Sequence, residues 1–280
     1  MRIKVMSDST CDLPKEAVEK YDIAIIPLTV VKDGTAYSDC VDIMPADIFA
    51  HVAAGGDLCS TAALGVGDYQ EWFSKYSKDY DGIVHINISA EFSSSHQNAR
   101  IAAEEFDNVI VIDSRNLSTG QGLVVLEACK LAKTCSSLKE LEDALNAFTP
   151  RVEASFLLDQ LKYMVKGGRC SAVAALGANL LNLKPCIEVK DGKMSVVKKY
   201  RGNYAKCLAN YVKDRLCGRE DLTKDTLFVT RTPVTDECLK AVEDAVALYN
   251  DFETTYWNEA GCTVSCHCGP STLGVLFVRK

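Results

Sequence analysis

The sequence lacks the loops that mark the common nucleotide enzymes. It has no Gly-x-x-x-x-Gly-Lys-Ser/Thr stretch, so it carries no Walker-type phosphate loop. No Gly-x-Gly-x-x-Gly follows a strand-like segment, and no Gly-x-Ser-x-Gly elbow is present. Long apolar runs are missing too: none approaches the ~18 residues of a membrane-spanning helix. No leader precedes the first strand-like segment, Ile3–Met6. Internal repeats and low-complexity segments are absent. Positive charge is not in excess, because 31 Lys and Arg face 38 Asp and Glu for a net charge of −7. That balance disfavours nucleic acid or an anionic membrane as partner. These absences predict a cytoplasmic protein without stable membrane insertion.

What is present is ample core material. The 280 residues are 48% apolar and 25% charged, enough for one large or two medium domains. Thirteen cysteines are scattered along the chain. Their odd number and wide spacing fit a reduced compartment, where most serve as small core residues.

The first half alternates strand-like and helix-like segments. Ile3–Met6, Ile23–Val31, Ile83–Ile88 and Val109–Ile112 read as strands, with Pro27 pointing to a sheet edge. Helices are expected from Pro14, over Ala46–Ala53 and Tyr69–Tyr76, and over Gly122–Ala132 and Leu138–Phe148. The rhythm predicts an α/β domain over 1–150 with a mostly parallel sheet flanked by helices. A boundary near Thr149-Pro150 opens a second α/β domain, 151–280, with a mixed sheet. There, strands are expected over Val152–Leu158 and Leu161–Val165, an apolar helix over Val173–Leu181, and a hairpin turning at Asp191-Gly192-Lys193. Helix Ala205–Leu216, strand Thr226–Val229, helix Cys238–Tyr249 and two final strands complete it.

In such sheets ligands sit beyond the carboxyl ends of strands. Three polar loops lie there: Ser7-Asp8-Ser9-Thr10, Ser93-Ser94-Ser95 and Asp113-Ser114-Arg115-Asn116. The second is the most informative. A hydroxyl run between a strand and a helix start directs O–H and backbone N–H groups at one point and can hold an anion. Ser93 and Ser94 serve equally well as helix caps. Thr61 reads as a turn hydroxyl before a helix. Lys166-Gly167-Gly168-Arg169 suits a carboxylate or phosphate, or else a basic turn ending a helix. The acids after the first strand read as a loop-bracing network.

In Cys262-Thr263-Val264-Ser265-Cys266-His267-Cys268 the last three residues alternate at period two. As a strand, they place Cys266 and Cys268 on one face and His267 on the other. A metal site on Cys262, Cys266 and Cys268 is one reading of this stretch. The other has His267 facing a cavity as a donor. A hydrolase or acyl-transfer enzyme using Ser93 and His267 is a further alternative, though no orienting acid is visible.

Taken in order, these residues resemble the DegV family of fatty-acid-binding proteins. The resemblance runs from Ser7-Asp8-Ser9-Thr10-Cys11-Asp12-Leu13-Pro14 to His267-Cys268-Gly269-Pro270-Ser271-Thr272-Leu273-Gly274. It includes Phe92-Ser93-Ser94-Ser95-His96-Gln97-Asn98-Ala99, Asp113-Ser114-Arg115, Lys166-Gly167-Gly168-Arg169 and Leu183-Lys184-Pro185. It implies two α/β domains with a lipid in the cleft between them. The resemblance further implies that Thr61 and Ser93 bind the carboxylate, beside Ser94, Arg169 and His267. It implies a binding protein with no cofactor and no catalysis of its own, which in some members offers the fatty acid to a separate kinase. The family's Thr-Ser-Gln-Pro-Ser stretch reads Thr61-Ala62-Ala63-Leu64-Gly65 here, and its Ser-Gly-Thr-Tyr reads Ser93-Ser94-Ser95-His96. A tail of ~16 carbons gains roughly 0.8 kcal/mol per buried methylene, so the tail sets affinity and the hydroxyls set orientation. Ile23–Val31, Leu157–Met164 and Ala174–Leu181 are the expected tail-lining segments.

Overall fold

A computed structural model describes residues 1–175, 183–249 and 251–280. The first half runs β1 (Ile3–Asp8), α1 (Lys15–Lys20), β2 (Ala24–Ile26), β3 (Thr29–Lys32), β4 (Thr35–Ser38), α2 (Pro45–Ala53), β5 (Ser60–Ala62), α3 (Val66–Ser77), β6 (Gly82–Asn87), α4 (Ser95–Ala103), β7 (Val109–Asp113), α5 (Ser118–Leu131) and α6 (Leu138–Phe148). The second runs β8 (Val152–Leu157), α7 (Lys162–Gly167), α8 (Ser171–Ala174), β9 (Leu183–Lys190), β10 (Lys193–Arg201), α9 (Tyr204–Leu216), β11 (Thr226–Arg231), α10 (Asp236–Tyr249), β12 (Thr254–Glu259), α11 (Cys262–Cys268) and β13 (Leu273–Val278).

The expected α/β architecture is found. A parallel sheet has the order β2-β1-β6-β7, and a mixed sheet has the order β10-β9-β8-β13-β11-β12. All six residues of β6 are buried, and so are all six of β13, because each strand is covered on both faces. The layers stack in a definite sequence. α3 and α4 cover one face of the parallel sheet through Tyr69, Phe73, Ala99 and Ala102. α9 and α10 cover the far face of the mixed sheet through Leu208, Tyr211, Val212, Val242 and Val246. Between the sheets lies α5, packed on β1 and β6 on one side and on β8, β11 and β13 on the other. Eleven of its fourteen residues are buried, and only Lys130, near its end, is exposed. Gly120 and Gly122 permit this close fit. A Cβ on Gly120 would lie 2.2 Å from Asn116 Oδ1, and one on Gly122 would lie 2.8 Å from the Cys11 carbonyl. A single apolar cluster therefore joins Val84 and Ile86 of one sheet to Ala154 and Leu276 of the other through Val124 and Val125.

Four sequence expectations need correction or limits. The strand expected over Ile23–Val31 is split at Pro27. A proline cannot donate to a ladder, so β2 ends at Ile26 on the sheet edge and β3 starts a small separate sheet, β4-β3-β5. Leu161–Val165 is not a strand: Leu161 is the N-cap of helix α7 and Lys162–Val165 lie within it, with Tyr163 and Met164 buried. Cys262–Cys268 is a helix, α11, instead of an alternating strand. Its cap comes from far away: both Asp39 carboxylate oxygens accept its first N–H groups, Cys262 N at 2.8 Å and Thr263 N at 3.2 Å. No local signal encodes that. The apolar helix expected over Val173–Leu181 is described only as far as Ala175, and its remainder lies outside the described residues.

Candidate functional site

Four separate elements bring the expected polar residues together. β5 carries Thr61, paired with Val30 of β3, so Thr61 stands in a strand and not at a helix start. The loop after β6 carries Ser93 and Ser94. Ser93 Oγ accepts from Ser95 N at 3.1 Å and lies 2.8 Å from Ser95 Oγ, which pins the turn before α4. Ser94 occupies the N-cap position without a side-chain cap bond. α7 is capped at its C-terminus by Gly168, whose φ of +70° suits glycine, and Arg169 follows. Arg169 is held by two carbonyls: Nε donates to Phe92 O at 3.4 Å and an Nη group donates to Gly167 O at 2.6 Å. α11 carries His267, whose Nε2 lies 2.8 Å from Thr61 Oγ1.

Thr61, Ser93, Ser94, Arg169 and His267 all line one cavity of about 160 Å³. Arg169 is the only charged side chain in its wall among the described residues. Leu28, Ile88, Phe92, Leu117, Met194 and Val264 supply the apolar part. A smaller inner opening of about 30 Å³ shares Leu117, Val264 and Cys268 with it and continues between α5 and the mixed sheet. Of the expected tail-lining segments, Ile23–Val31 contributes Leu28 and Leu157–Met164 contributes nothing. Leu157 instead packs under α9, and Leu158 and Met164 are buried in the central core. The third segment lies almost wholly outside the described residues.

Sequence reasoning missed Thr263. It lines the cavity one helical turn before His267, and its hydroxyl oxygen is buried with no partner among the described residues. The i, i+4 spacing would have linked the two had the segment been read as a helix.

The other two loops brace the structure. Asp8 is buried and accepts from Ile88 N at 2.9 Å, Gln121 Nε2 at 2.9 Å, Thr10 N at 3.1 Å and the Thr10 hydroxyl. Asp12 accepts from Ser118 Oγ at 2.6 Å and Gly261 N at 2.8 Å; burial raises its carboxyl to about 8. Asp113 Oδ1 accepts from Arg115 N at 2.8 Å. None of these acids lines the cavity.

His267 is held neutral. Burial, and then the charge of Arg169, push its imidazole down to about 4. Its Nδ1 is buried without a partner, and Gly167 presses against it so closely that a Cβ there would lie 2.3 Å away. No carboxylate therefore orients His267 among the described residues, and a Ser93–His267 hydrolytic pair lacks both its contact and its third member. The pK shift carries a stability sign. Between pH 6.5 and 4 the unfolded chain takes up a proton at His267 that the folded chain refuses, so stability falls as pH falls. His267→Gln is expected to lose about 2 kcal/mol less than the parent between pH 8 and pH 5 in denaturant titrations. Equal losses in both proteins would contradict the assignment.

The proposed metal ligands do not converge as first read. Cys262 and Cys266 face the small apolar cluster under β3 and α2, whereas Cys268 packs into the central core. Among the described residues, the ligand atoms that lie within 4.8 Å of one another belong to Asp39, Cys40 and Cys262.

The family model described as "Uncharacterised protein, DegV family" matches residues 2–280. The chain belongs to the DegV family. A DegV domain-containing protein from Clostridium acetobutylicum is 32% identical over 290 residues, covering all of this chain and 99% of that protein. Among solved DegV structures, the Thermus thermophilus protein, described by its fatty acid binding, is 27% identical with a TM-score of 0.91 and full coverage of both chains. Bacillus subtilis DegV, described as a fatty acid binding protein, is 26% identical with a TM-score of 0.86 and full coverage of both chains. A stearic-acid-binding protein from Eubacterium ventriosum is 27% identical with a TM-score of 0.81, covering 99% and 98% of the two chains. No described helix of this chain is long and apolar enough to cross a membrane.

Proposed function

We propose that this DegV protein binds one long-chain fatty acid as a cytoplasmic carrier, its carboxylate on Thr61 and Ser93 and its tail running inward past Leu117, Val264 and Cys268. The supporting observation is the composition of one cavity wall. Six polar side chains and no acid meet there, and apolar side chains continue from it toward the inner opening. The two domains proposed here, 1–150 and 151–280, each supply part of that wall.

Thr61 and His267 form a donor relay. A neutral His267 with its proton on Nε2 donates to Thr61 Oγ1, leaving the Thr61 hydroxyl proton free to point at the ligand. The opposite tautomer would bury an Nδ1–H without an acceptor, the costlier arrangement. Ser93, Ser94 and the Arg169 guanidinium complete the set, and Arg169 can meet a carboxylate with two parallel bonds. The outer cavity seats the head and the first carbons. The remainder of a ~16-carbon chain follows the inner opening, where side chains must turn aside to admit it.

Arg169 is exposed while lining the cavity, so the carboxylate end lies toward the surface. That orientation suits presentation of the acid to a separate fatty acid kinase. The test is direct. Solvent extraction of the purified protein followed by mass spectrometry is expected to yield about one long-chain fatty acid per chain. A protein that carries none and also refuses added fatty acids would remove the proposal.

A further inference from the structure

Two thiols outside the lipid site face each other. Cys40 Sγ and Cys262 Sγ are 3.9 Å apart, although 222 residues separate them. Cys40 follows β4 in a turn where Val41 N donates to Ser38 O at 3.1 Å. Its φ of +56° is a left-handed backbone that few residues other than glycine adopt, and it turns the side chain toward the start of α11. Cys40 is exposed. Cys262 is buried, with its S–H donated to Ile43 O at 3.1 Å.

We infer that Cys40 and Cys262 form a thiol–disulfide exchange site, oxidised by a small disulfide of the glutathione type. Cys40, as the thiolate, attacks one sulfur of the small disulfide. The old S–S bond breaks, and the departing sulfur leaves as a thiolate that takes a proton. Cys262 Sγ then attacks Cys40 Sγ, passing its own proton to the second departing thiolate. Two protein thiols are oxidised and one small disulfide is reduced to two thiols. The sulfurs must close from 3.9 Å to about 2.05 Å, which rotation of the exposed Cys40 side chain supplies most easily.

Two neighbours define why this pair and not another reacts. Asp39 belongs to the same cluster, but both its oxygens are occupied: Oδ1 by Cys262 N, and Oδ2 by Ser9 Oγ at 2.8 Å and Thr263 N. It is a poor metal ligand in that state, which leaves the two thiols as the reactive unit. Cys59 and Cys266 pack in the same apolar cluster one turn further along α11, but both are buried from any small oxidant. The bridge would join the sheet holding Thr61 to the helix holding His267. β4 pairs with β3, and β3 pairs with β5.

The test uses the full chain, fully reduced and then exposed to glutathione disulfide, trapped with an alkylating agent and mapped by peptide mass spectrometry. A peptide linking Cys40 to Cys262 is expected to exceed glutathione-modified Cys40 by at least about tenfold, because closure is intramolecular. Cys262→Ser should reverse that ratio and leave glutathione on Cys40. Cys217, the other exposed thiol, is the reference for exposure alone. Retention of glutathione on Cys40 in the parent, as on Cys217, would overturn the inference, and so would no reaction at Cys40 or a Cys59–Cys266 link in its place. The parent map decides the matter even if the Cys262 variant fails to fold.

Discussion

Val264→Trp is expected to lower affinity for a ~16-carbon fatty acid by about 10³-fold while changing that for an eight-carbon acid less than tenfold. Val264 lies in the walls of both the outer cavity and the inner opening, so a larger ring there closes the passage between them. If about six methylenes are denied burial, the loss is about 5 kcal/mol at roughly 0.8 kcal/mol each. A short acid never reaches that depth and should not notice. The comparison of chain lengths within one variant separates blockage from general damage. Overpacking costs typically about 1–3 kcal/mol in stability, which a thermal melt would register without altering the length dependence. Titration of a fluorescent fatty-acid series measures the effect. Parallel losses for short and long acids would place the tail elsewhere.

Replacing Thr61 and Ser93 together by alanine is the second large effect, an expected loss of at least about 10²-fold in affinity for the acid. In the proposed pose each hydroxyl donates to a charged oxygen, and such bonds contribute about 1.5–3 kcal/mol apiece. The alcohol of equal chain length offers no carboxylate, so its binding should fall far less. Both side chains are only half-buried, so folding should survive. An unchanged affinity for the acid would show that Arg169 alone holds the head. A common loss for acid and alcohol would point to collapse of the cavity instead.

Much of this was legible in the sequence, and the failures share one cause. The hydroxyl run before α4 and the Gly168-Arg169 turn are local features, readable because a few consecutive residues determine them. Ser93, Ser94, Arg169, Thr61 and His267 stand out in the sequence, and the folded chain brings them to one wall. Cys262–Cys268 was misread because its helix is capped by Asp39, more than two hundred residues away, while its spacing imitates a strand. Thr263 was lost through the same error. Leu157–Met164, expected along the tail, lines neither opening for a related reason. Apolar segments such as Leu157–Met164 look alike whether they line a void or fill a core, and only packing distinguishes them. The Thr61–His267 contact joins residues 206 apart and had no signature at all.

The position of α5 restricts how a lipid would enter the proposed site. One rod serves as the floor of two β-sheets, so swinging the halves apart like a clamshell would strip water-excluded surface from Val124, Val125 and their neighbours on both sides. The route that leaves this shared rod undisturbed is at the rim, where side chains and short turns around Arg169 yield one at a time. Loading should then be a slow, threading event whose rate depends on the rim residues, with the bulk of the molecule standing still.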